Sequence, residues 1–285
     1  MKATTLGSLA IKETLKRARL QPTEVQEVYF GQVLQAGAGQ APARQAALGA
    51  NIPKSAICTT VNKVCASGMK SIMIGAQSIE CGHNDVVIAG GMESMSQVPR
   101  YLNRLSNPYG NIVSEDGILL DGLTDAYDKI HMGVCAENTC KKHEIAREDQ
   151  DKYAISSYQL SRKAYESGTL AKEIVPVEVI GKKPADTVRL VNEDEEFKKI
   201  DMERIPKLRP AFDKTSGTVT AANASTLNDG AAATLIMSSR ALERYKLEPL
   251  AQIVAYADAA CDPIDFPIAP ALSIPRVSSE ISPCS

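Results

Sequence analysis

Apolar residues follow two alternating spacings along the first ninety residues of the chain. Short runs rich in β-branched and aromatic residues are separated by segments in which apolar residues recur at helical spacing. This rhythm predicts parallel strand–helix–strand units, and therefore the α/β fold class. The predicted strands are residues 27–34, 56–61 and 85–89, and the predicted helices are residues 1–20, 42–50 and 66–81.

Residues 1–20 allow two interpretations. They carry five basic residues against one acidic residue, a balance that is also found in organelle transit peptides. The helical spacing of Leu6, Leu9 and Leu15, which ends at Gln21-Pro22, instead favours a helix of the mature protein. We therefore expect a helix here and no targeting segment within the chain.

The rhythm breaks at residue 92. Residues 92–216 are polar, charged and turn-rich, which predicts an inserted region with its own helices at 136–142 and 147–167. Strand-like composition returns at 218–226 and 231–238, around the hairpin signal Asn228-Asp-Gly230, and again at 250–257. Proline and serine dominate after residue 262, which predicts an unfolded tail.

Composition narrows the function classes. A length of 285 residues suggests about two domains. Lys and Arg number 32 against 34 Asp and Glu, and only 5% of residues are aromatic, so neither a phosphate-binding charge excess nor a base-stacking surface is expected. No apolar run reaches the length of a membrane span. Seven cysteines without a Cys-x-x-Cys pair favour a reducing compartment over a disulfide framework.

One group of residues has the composition of a zinc site, namely His131, Cys135, Cys140 and His143. On a single helix, at about 100° per residue, Cys140 and His143 lie on a different side from His131 and Cys135. Only a kinked or looped segment would bring the four side chains together, so a metal site is not expected here.

Cys65 is a stronger candidate for a functional residue than this group, as a nucleophile. It ends a strand-like run and lies where the next helix begins, so the helix dipole and unpaired N–H groups would favour its thiolate. A buried structural cysteine is the alternative. A glycine pair, Gly90-Gly91, follows the next predicted strand at its carboxyl end, but it fits neither a Walker loop nor a dinucleotide fingerprint.

Four longer motifs are found along the chain, namely Asn62-Lys-Val-Cys-Ala-Ser-Gly-Met-Lys70, Ala89-Gly-Gly-Met-Glu-Ser-Met-Ser96, Ile130-His-Met-Gly133 and Thr220-Ala-Ala-Asn-Ala-Ser-Thr-Leu-Asn-Asp-Gly-Ala-Ala232. Taken together, these motifs resemble the thiolase family in the family's order, over about residues 3–270. The resemblance implies layered α/β/α architecture with a mixed, mostly parallel sheet. It divides the chain into an N-terminal half, an inserted coenzyme A-binding loop domain, the start of a second half and a divergent tail. These regions are 1–91 with 217–240, then 92–216, 241–270 and 271–285.

The resemblance also implies a reaction and its residues. The reaction is the Claisen condensation of two acetyl-CoA molecules to acetoacetyl-CoA, and its reverse thiolysis, through an acyl group on Cys65. Coenzyme A is the carrier of the substrates, and some family members are activated by a potassium ion. The implied coenzyme A residues are His131, Tyr158, Lys199, Ile200, Asp201, Arg204 and Ser225, and the implied potassium residues are Tyr158, Ala221, Ala222 and Ala224.

Other readings of these residues remain open. His131 would equally suit a helix start without a ligand, and Lys199 and Arg204 would equally be ordinary solvent-exposed charged residues.

The resemblance also implies assembly as a homo-oligomer in complete family members, a location in the mitochondrial matrix, and a role in ketone-body and lipid metabolism.

The chain also departs from the family pattern. The family carries Asn-Glu-Ala-Phe, Gly-His-Pro-x-Gly and Cys-x-Gly-Gly-Gly motifs that are not found in these 285 residues, whose three histidines are at 83, 131 and 143. We therefore expect a chain truncated at both ends, with the second half largely missing and catalysis impaired. The rival hypothesis is a catalytically inactive form that binds coenzyme A or a full-length thiolase subunit.

Overall fold

A computed structural model of the chain describes residues 1–102, 104, 109–180 and 187–281. These residues form two units. Unit 1 contains the described residues of Met1–Leu123 together with Leu227–Val254, and unit 2 contains the described residues of Thr124–Thr226 and those from Ala255 onward.

Helices and strands alternate as the first ninety residues predict. The helices are α1 (Ala3–Ala18), α2 (Pro42–Gly49), α3 (Ser67–Glu80), α4 (Met132–Lys142), α5 (Arg147–Glu166), α6 (Glu196–Lys199), α7 (Ser239–Tyr245) and α8 (Ala269–Ile281). The strands are β1 (Glu27–Gly31), β2 (Ile57–Val61), β3 (Val86–Ser94), β4 (Arg100–Tyr101), β5 (Glu115–Asp116), β6 (Val177–Val179), β7 (Arg189–Val191) and β8 (Asp229–Met237).

The main sheet of unit 1 has the strand order β2-β1-β3-β8. β1 runs parallel to both β2 and β3, with Glu27 opposite Ile57 and Val87, and β8 runs antiparallel to β3. The predicted α/β class with a mixed, mostly parallel sheet is thus confirmed. The carboxyl ends of β1, β2 and β3 meet at one edge, where the candidate cysteine follows β2.

Helices cover both faces of this sheet. Phe30 and Ile88 belong to a buried cluster with Ile11 of α1 and Ala46 of α2. The alternate residue of β3, Val87, lies on the other face, where it would contact a Cβ added to Gly75 of α3 at 3.2 Å. Because successive strand residues point to opposite faces, this alternation produces the three layers. Each fully buried large apolar side chain contributes about 1.5–3 kcal/mol.

Unit 2 is built mainly from helices. Its antiparallel strands β6 and β7 pair Val177 with Val191 and Val179 with Arg189. α4 packs against a 3₁₀ helix at Pro263–Ile268, and α5 packs against α6. Among the described residues, no helix combines the length and the apolar character that crossing a membrane requires.

Two of the strand predictions are wrong. Residues 218–226 form an irregular segment with a turn at 221–223, because Asn223 bonds the backbone of its own segment: its Oδ1 accepts from the Thr220 N–H and its Nδ2 donates to the Thr218 carbonyl. Residues 250–257 form no strand in the described structure, and Leu250 and Val254 are exposed. A strand-like composition does not make a strand where no neighbour pairs with it.

Two further local expectations also fail. Asn228-Asp-Gly230 is not a hairpin turn, because β8 already begins at Asp229 and pairs with the distant β3. The expected unfolded tail contains the 3₁₀ helix at Pro263–Ile268 and then α8. α8 tolerates Pro270 in its first turn, where the missing N–H has no intrahelical partner, and it also contains Pro275. Residues 282–285, including Cys284, lie outside the described part of the chain.

Candidate functional site

Cys65 lies in a short turn between the end of β2 and the start of α3, and its side chain is exposed. The preceding residue, Val64, has φ 49°, a left-handed conformation that is strained for a β-branched residue and costs on the order of 1–3 kcal/mol. Such strain is typical of a backbone that presents a functional side chain. The sequence did not indicate it, because valine is not a residue that marks a positive φ.

Side-chain hydrogen bonds hold this turn. The Asn62 Oδ1 accepts from the Val64 N–H at 3.0 Å, and the Ser67 Oγ accepts from the Lys63 N–H at 2.8 Å. The same Ser67 hydroxyl donates to the Val64 carbonyl at 2.5 Å. The turn that carries Cys65 is therefore fixed on both sides by side chains of its own motif.

Glycines let the start of α3 approach the sheet backbone. A Cβ on Gly31, the last residue of β1, would lie 2.6 Å from the Ser67 carbonyl carbon, and one on Gly91 of β3 would lie 3.2 Å from the Gly68 Cα. The backbone at the start of α3 consequently packs directly on β1 and β3. This contact sets the position of the turn two residues before it.

Glu93 links the strand ends at the same edge of the sheet. Its Oε2 accepts from the N–H groups of Val33 at 2.9 Å and Leu34 at 3.3 Å, just beyond β1. The Asn62 Nδ2 donates to the Val33 carbonyl at 3.3 Å. Sequence reasoning assigned no role to Glu93 or Asn62, although both lie in the motifs that carry the family resemblance.

The cysteines differ in accessibility. Burial raises the pKa of the Cys58 thiol and of the Cys135 thiol, which disfavours their thiolates. Cys65, Cys81 and Cys261 are exposed. The alternative that Cys65 is a buried structural cysteine therefore does not fit its surroundings in the described structure.

In unit 2, α5 brings together two of the predicted potassium residues. The Tyr158 hydroxyl donates to the Ala222 carbonyl at 3.2 Å. Burial, and secondarily the charge of Glu196, raises the pKa of Tyr158, so its hydroxyl stays protonated at neutral pH. Ala221 is exposed and Ala224 is half-buried in the same turn, next to the exposed Ser225.

α5 also holds the segment of the predicted cationic residues. The Arg162 Nη2 donates to the Phe197 carbonyl at 3.2 Å, and the Tyr165 and Phe197 rings stack at 4.9 Å. Phe197 belongs to α6, which ends at Lys199, an exposed side chain paired with Glu195 at 2.8 Å. Ile200 is half-buried, and Asp201 and Arg204 are exposed.

His131 is the N-cap of α4, as the helix-start interpretation expects. Its Nδ1 accepts from the Gly133 N–H at 3.0 Å, which leaves Nε2 as the nitrogen that can donate to a ligand. Its ring lies 4.8 Å from the Phe212 ring. A Cβ at residue 133 would overlap the Phe212 ring, so a residue larger than glycine there would require that ring to move.

The cysteine and histidine side chains around α4 do not come together as one group in the described structure. His131 and His143 cap opposite ends of the helix, and Cys135 is buried. Within those residues no group of three or more His, Cys, Asp or Glu side chains could hold a metal ion. Of the predicted site residues, Cys65 belongs to unit 1 and all the others belong to unit 2.

Comparison with known proteins gives consistent results. The family described as "Thiolase, N-terminal domain" matches residues 1–240. The mitochondrial acetyl-CoA acetyltransferase of Rattus norvegicus is 58% identical over 275 residues, which are 96% of this chain and 64% of the relative. The Danio rerio protein of the same name is 60% identical over 275 residues, covering 96% and 65%. This chain thus spans somewhat less than two thirds of the length of these relatives.

A solved structure also matches the chain. It is the Acat5 thiolase of Ascaris suum in complex with coenzyme A, and it superposes with a TM-score of 0.92 at 43% sequence identity. The match covers 98% of this chain and 71% of that one.

Proposed function

Because the chain belongs to the thiolase family, we propose that it acts as an acetyl-CoA C-acetyltransferase through an acyl group on Cys65. The observation that carries the proposal is the exposed Cys65 thiol on a strained turn, fixed between the end of β2 and the start of α3. A thiolate suits this role because it is nucleophilic near neutral pH and its acyl product is as reactive as the thioester it replaces.

In the first half-reaction, Cys65 is the protein group that bonds to the substrate. Its thiolate attacks the carbonyl carbon of acetyl-CoA, a new C–S bond forms, and the electron pair moves onto the carbonyl oxygen. When the carbonyl re-forms, the bond to the coenzyme A sulfur breaks and coenzyme A leaves as a thiolate that takes a proton. The acetyl group is left as a thioester on Cys65.

In the second half-reaction, a base removes an α-proton from another acetyl-CoA. The resulting carbanion attacks the acetyl carbonyl, a C–C bond forms, and Cys65 leaves as a thiolate. The family resemblance implies that a Cys-x-Gly-Gly-Gly cysteine removes this α-proton, and that a Gly-His-Pro-x-Gly histidine deprotonates the nucleophilic Cys65. Neither motif occurs within these 285 residues. The second candidate function, for these residues taken by themselves, is to bind coenzyme A or a full-length thiolase subunit without turnover.

We assign the coenzyme A contacts to unit 2. The exposed cations of Lys199 and Arg204 suit the phosphate groups of the ligand. Tyr158 and Ser225 lie on the two segments that the 3.2 Å hydrogen bond between Tyr158 and Ala222 joins. Ile200, Asp201 and the free Nε2 of His131 complete the proposed set.

We also propose a potassium ion beside Tyr158. A tyrosine hydroxyl and a backbone carbonyl 3.2 Å apart are neutral, hard donors of the kind that alkali ions accept. Tyr158 and the carbonyls of Ala221, Ala222 and Ala224 would hold the ion, whose charge would stiffen the turn before Ser225.

The names of the relatives further support a mitochondrial location, and we propose homo-oligomeric assembly as in complete family members.

Acetyl transfer is tested by incubating the chain with acetyl-CoA and measuring its intact mass. We expect one acetyl group on the wild type and on Cys81→Ser, a matched control at another exposed cysteine, and none on Cys65→Ser. Acetylation that persists in Cys65→Ser, or is absent from the wild type, contradicts the proposal. Thiolysis of acetoacetyl-CoA by the same samples then separates a complete catalyst from the binding-only alternative.

A further inference from the structure

An ion pair in unit 2, formed by a buried carboxylate and a half-buried arginine, connects three separate segments. Asp151 on α5 is 5% exposed, and its Oδ2 accepts from the Arg147 Nε at 2.7 Å. Its Oδ1 accepts from the Asn223 Nδ2 at 3.1 Å. The Arg147 Nη2 donates to the carbonyls of Ile205 at 3.0 Å and Leu208 at 3.1 Å. We name Arg147, Asp151 and Asn223 the clamp.

On one side, the clamp reaches the segment after Arg204. Ile205 is fully buried, and its carbonyl and that of Leu208 share a single guanidinium nitrogen. Ile205 and Leu208 lie 58 and 61 residues after Arg147 in the sequence. The backbone that follows Arg204 is therefore held by α5 through one side chain.

On the other side, the clamp holds the turn before Ser225. Asn223 uses its whole amide: Oδ1 accepts from the Thr220 N–H at 2.7 Å, and Nδ2 donates to the Thr218 carbonyl at 3.0 Å as well as to Asp151. Glu137 of α4 adds a second anchor, because its carboxylate accepts from the N–H groups of Thr218 and Val219.

We propose that Asp151 is a positioning residue, which acts through Arg147 and Asn223 to fix the two segments that carry Arg204 and Ser225 for coenzyme A. The inference rests on the proposed function. A buried carboxylate is tolerated in a folded protein when both of its oxygens accept hydrogen bonds. Here the two oxygens accept from groups on different segments, Arg147 and Asn223.

The substitution Asp151→Asn keeps the shape of the side chain but replaces one acceptor by a donor. The new N–H₂ group must face a donor of Arg147 or of Asn223, so one of the two bonds is lost. Asp265→Asn is the matched control, since that carboxylate also accepts from an asparagine (Asn138, 3.2 Å) and a cation (Lys142, 2.7 Å) in unit 2 but touches neither segment.

The first measurement is hydrogen exchange of the backbone amides in the full chain. In Asp151→Asn we expect exchange at residues 218–226 to become about tenfold faster, and in Asp265→Asn we expect it to equal the wild type. The second measurement is coenzyme A affinity by calorimetry. We expect Asp151→Asn to bind about tenfold more weakly than the wild type and the control.

Asn223→Asp provides a second variant at a half-buried position, in case Asp151→Asn does not fold. It places two carboxylates together and should produce the same pair of effects. The double variant Asp151→Asn with Asn223→Asp restores one donor and one acceptor at this contact, so it should recover part of the coenzyme A affinity. A residue with a merely general stabilising role would not give this recovery.

The outcomes are distinguishable. Equal exchange at 218–226 in the wild type and both single clamp variants overturns the clamp. Faster exchange with unchanged coenzyme A affinity overturns its positioning role. If the wild type itself does not bind coenzyme A, the proposed function fails, and the proposal that Asp151 positions a coenzyme A site fails with it, while the exchange data still report whether the clamp orders the turn.

Discussion

Gly31 and Gly68 lie at one contact between the sheet and α3, yet we expect opposite results when each is changed to alanine. A Cβ on Gly31 would lie 2.6 Å from the Ser67 carbonyl carbon and 2.7 Å from the Gly68 nitrogen. A Cβ on Gly68 would meet nothing closer than the Gly91 Cα at 3.7 Å, which is an ordinary van der Waals distance. Only the first substitution creates an overlap.

The distances set the magnitudes. To reach an ordinary contact at 3.4 Å from 2.6 Å, the start of α3 must move by about 0.8 Å, and its atoms there are backbone rather than a flexible side chain. Overpacking of this kind costs about 1–3 kcal/mol. Gly68→Ala removes a glycine from the first turn of a helix without a clash, so it should be neutral or stabilising by up to about 1 kcal/mol.

Urea unfolding of the two variants and the wild type measures these changes. The alkylation rate of Cys65 in the folded proteins reports whether the turn has moved. We expect Gly31→Ala to lower the free energy of unfolding and to change the alkylation rate. Gly68→Ala should not lower the free energy of unfolding and should leave the alkylation rate unchanged. If Gly31→Ala were as stable as the wild type, or Gly68→Ala the less stable of the pair, the close backbone contact would be wrong.

Three further predictions concern single groups. Cys65 should be alkylated faster than Cys81, because it lies at a helix start; peptide mass mapping with Cys81 labelled first would refute this. Arg204→Ala should weaken coenzyme A binding about tenfold by calorimetry, and equal affinity would remove Arg204 from the site. Hydrogen bonds from the Ser216 hydroxyl, and then from nearby amides, lower the pKa of Asp213 from 3.8 to about 2. Its carboxylate therefore stabilises the folded state above about pH 4 and loses this effect as the pH falls towards about 2, so acid titrations of the wild type and Asp213→Asn should converge there.

The sheet of unit 1 was predictable because its signals are local. Strand composition and helical spacing located the ends of β1, β2 and α3 within three residues, and the parallel order followed from their alternation. β8 was found as a strand, but its partner was not. The turn signal before it favoured a local hairpin, whereas β8 pairs with β3 about 140 residues earlier.

The candidate site was predictable only as a set of residues. Cys65 was singled out from its place between a strand and a helix, and the family motifs supplied the residues of unit 2. The residues that hold them were missed because their partners are far away in sequence: Glu93 bonds Val33 at a separation of 60 residues, and Asp151 bonds Asn223 at 72. Asn223 itself looked like part of a strand, since alanine and threonine around it have strand-like composition.

The two units secure their functional residues by different physical means, and they should respond differently to perturbation. In unit 1, backbone contact at glycines supports the Cys65 turn in addition to the hydrogen bonds of Asn62 and Ser67, so added volume is a damaging change there. In unit 2 the turn before Ser225 is held by the buried Asp151 carboxylate, so loss of an acceptor is the damaging change. Added salt should weaken the exposed ion pair of Lys199 and Glu195 much more than the clamp, because ions screen surface charges far more than buried ones. Added salt should therefore loosen the end of α6 while the turn before Ser225 keeps its order.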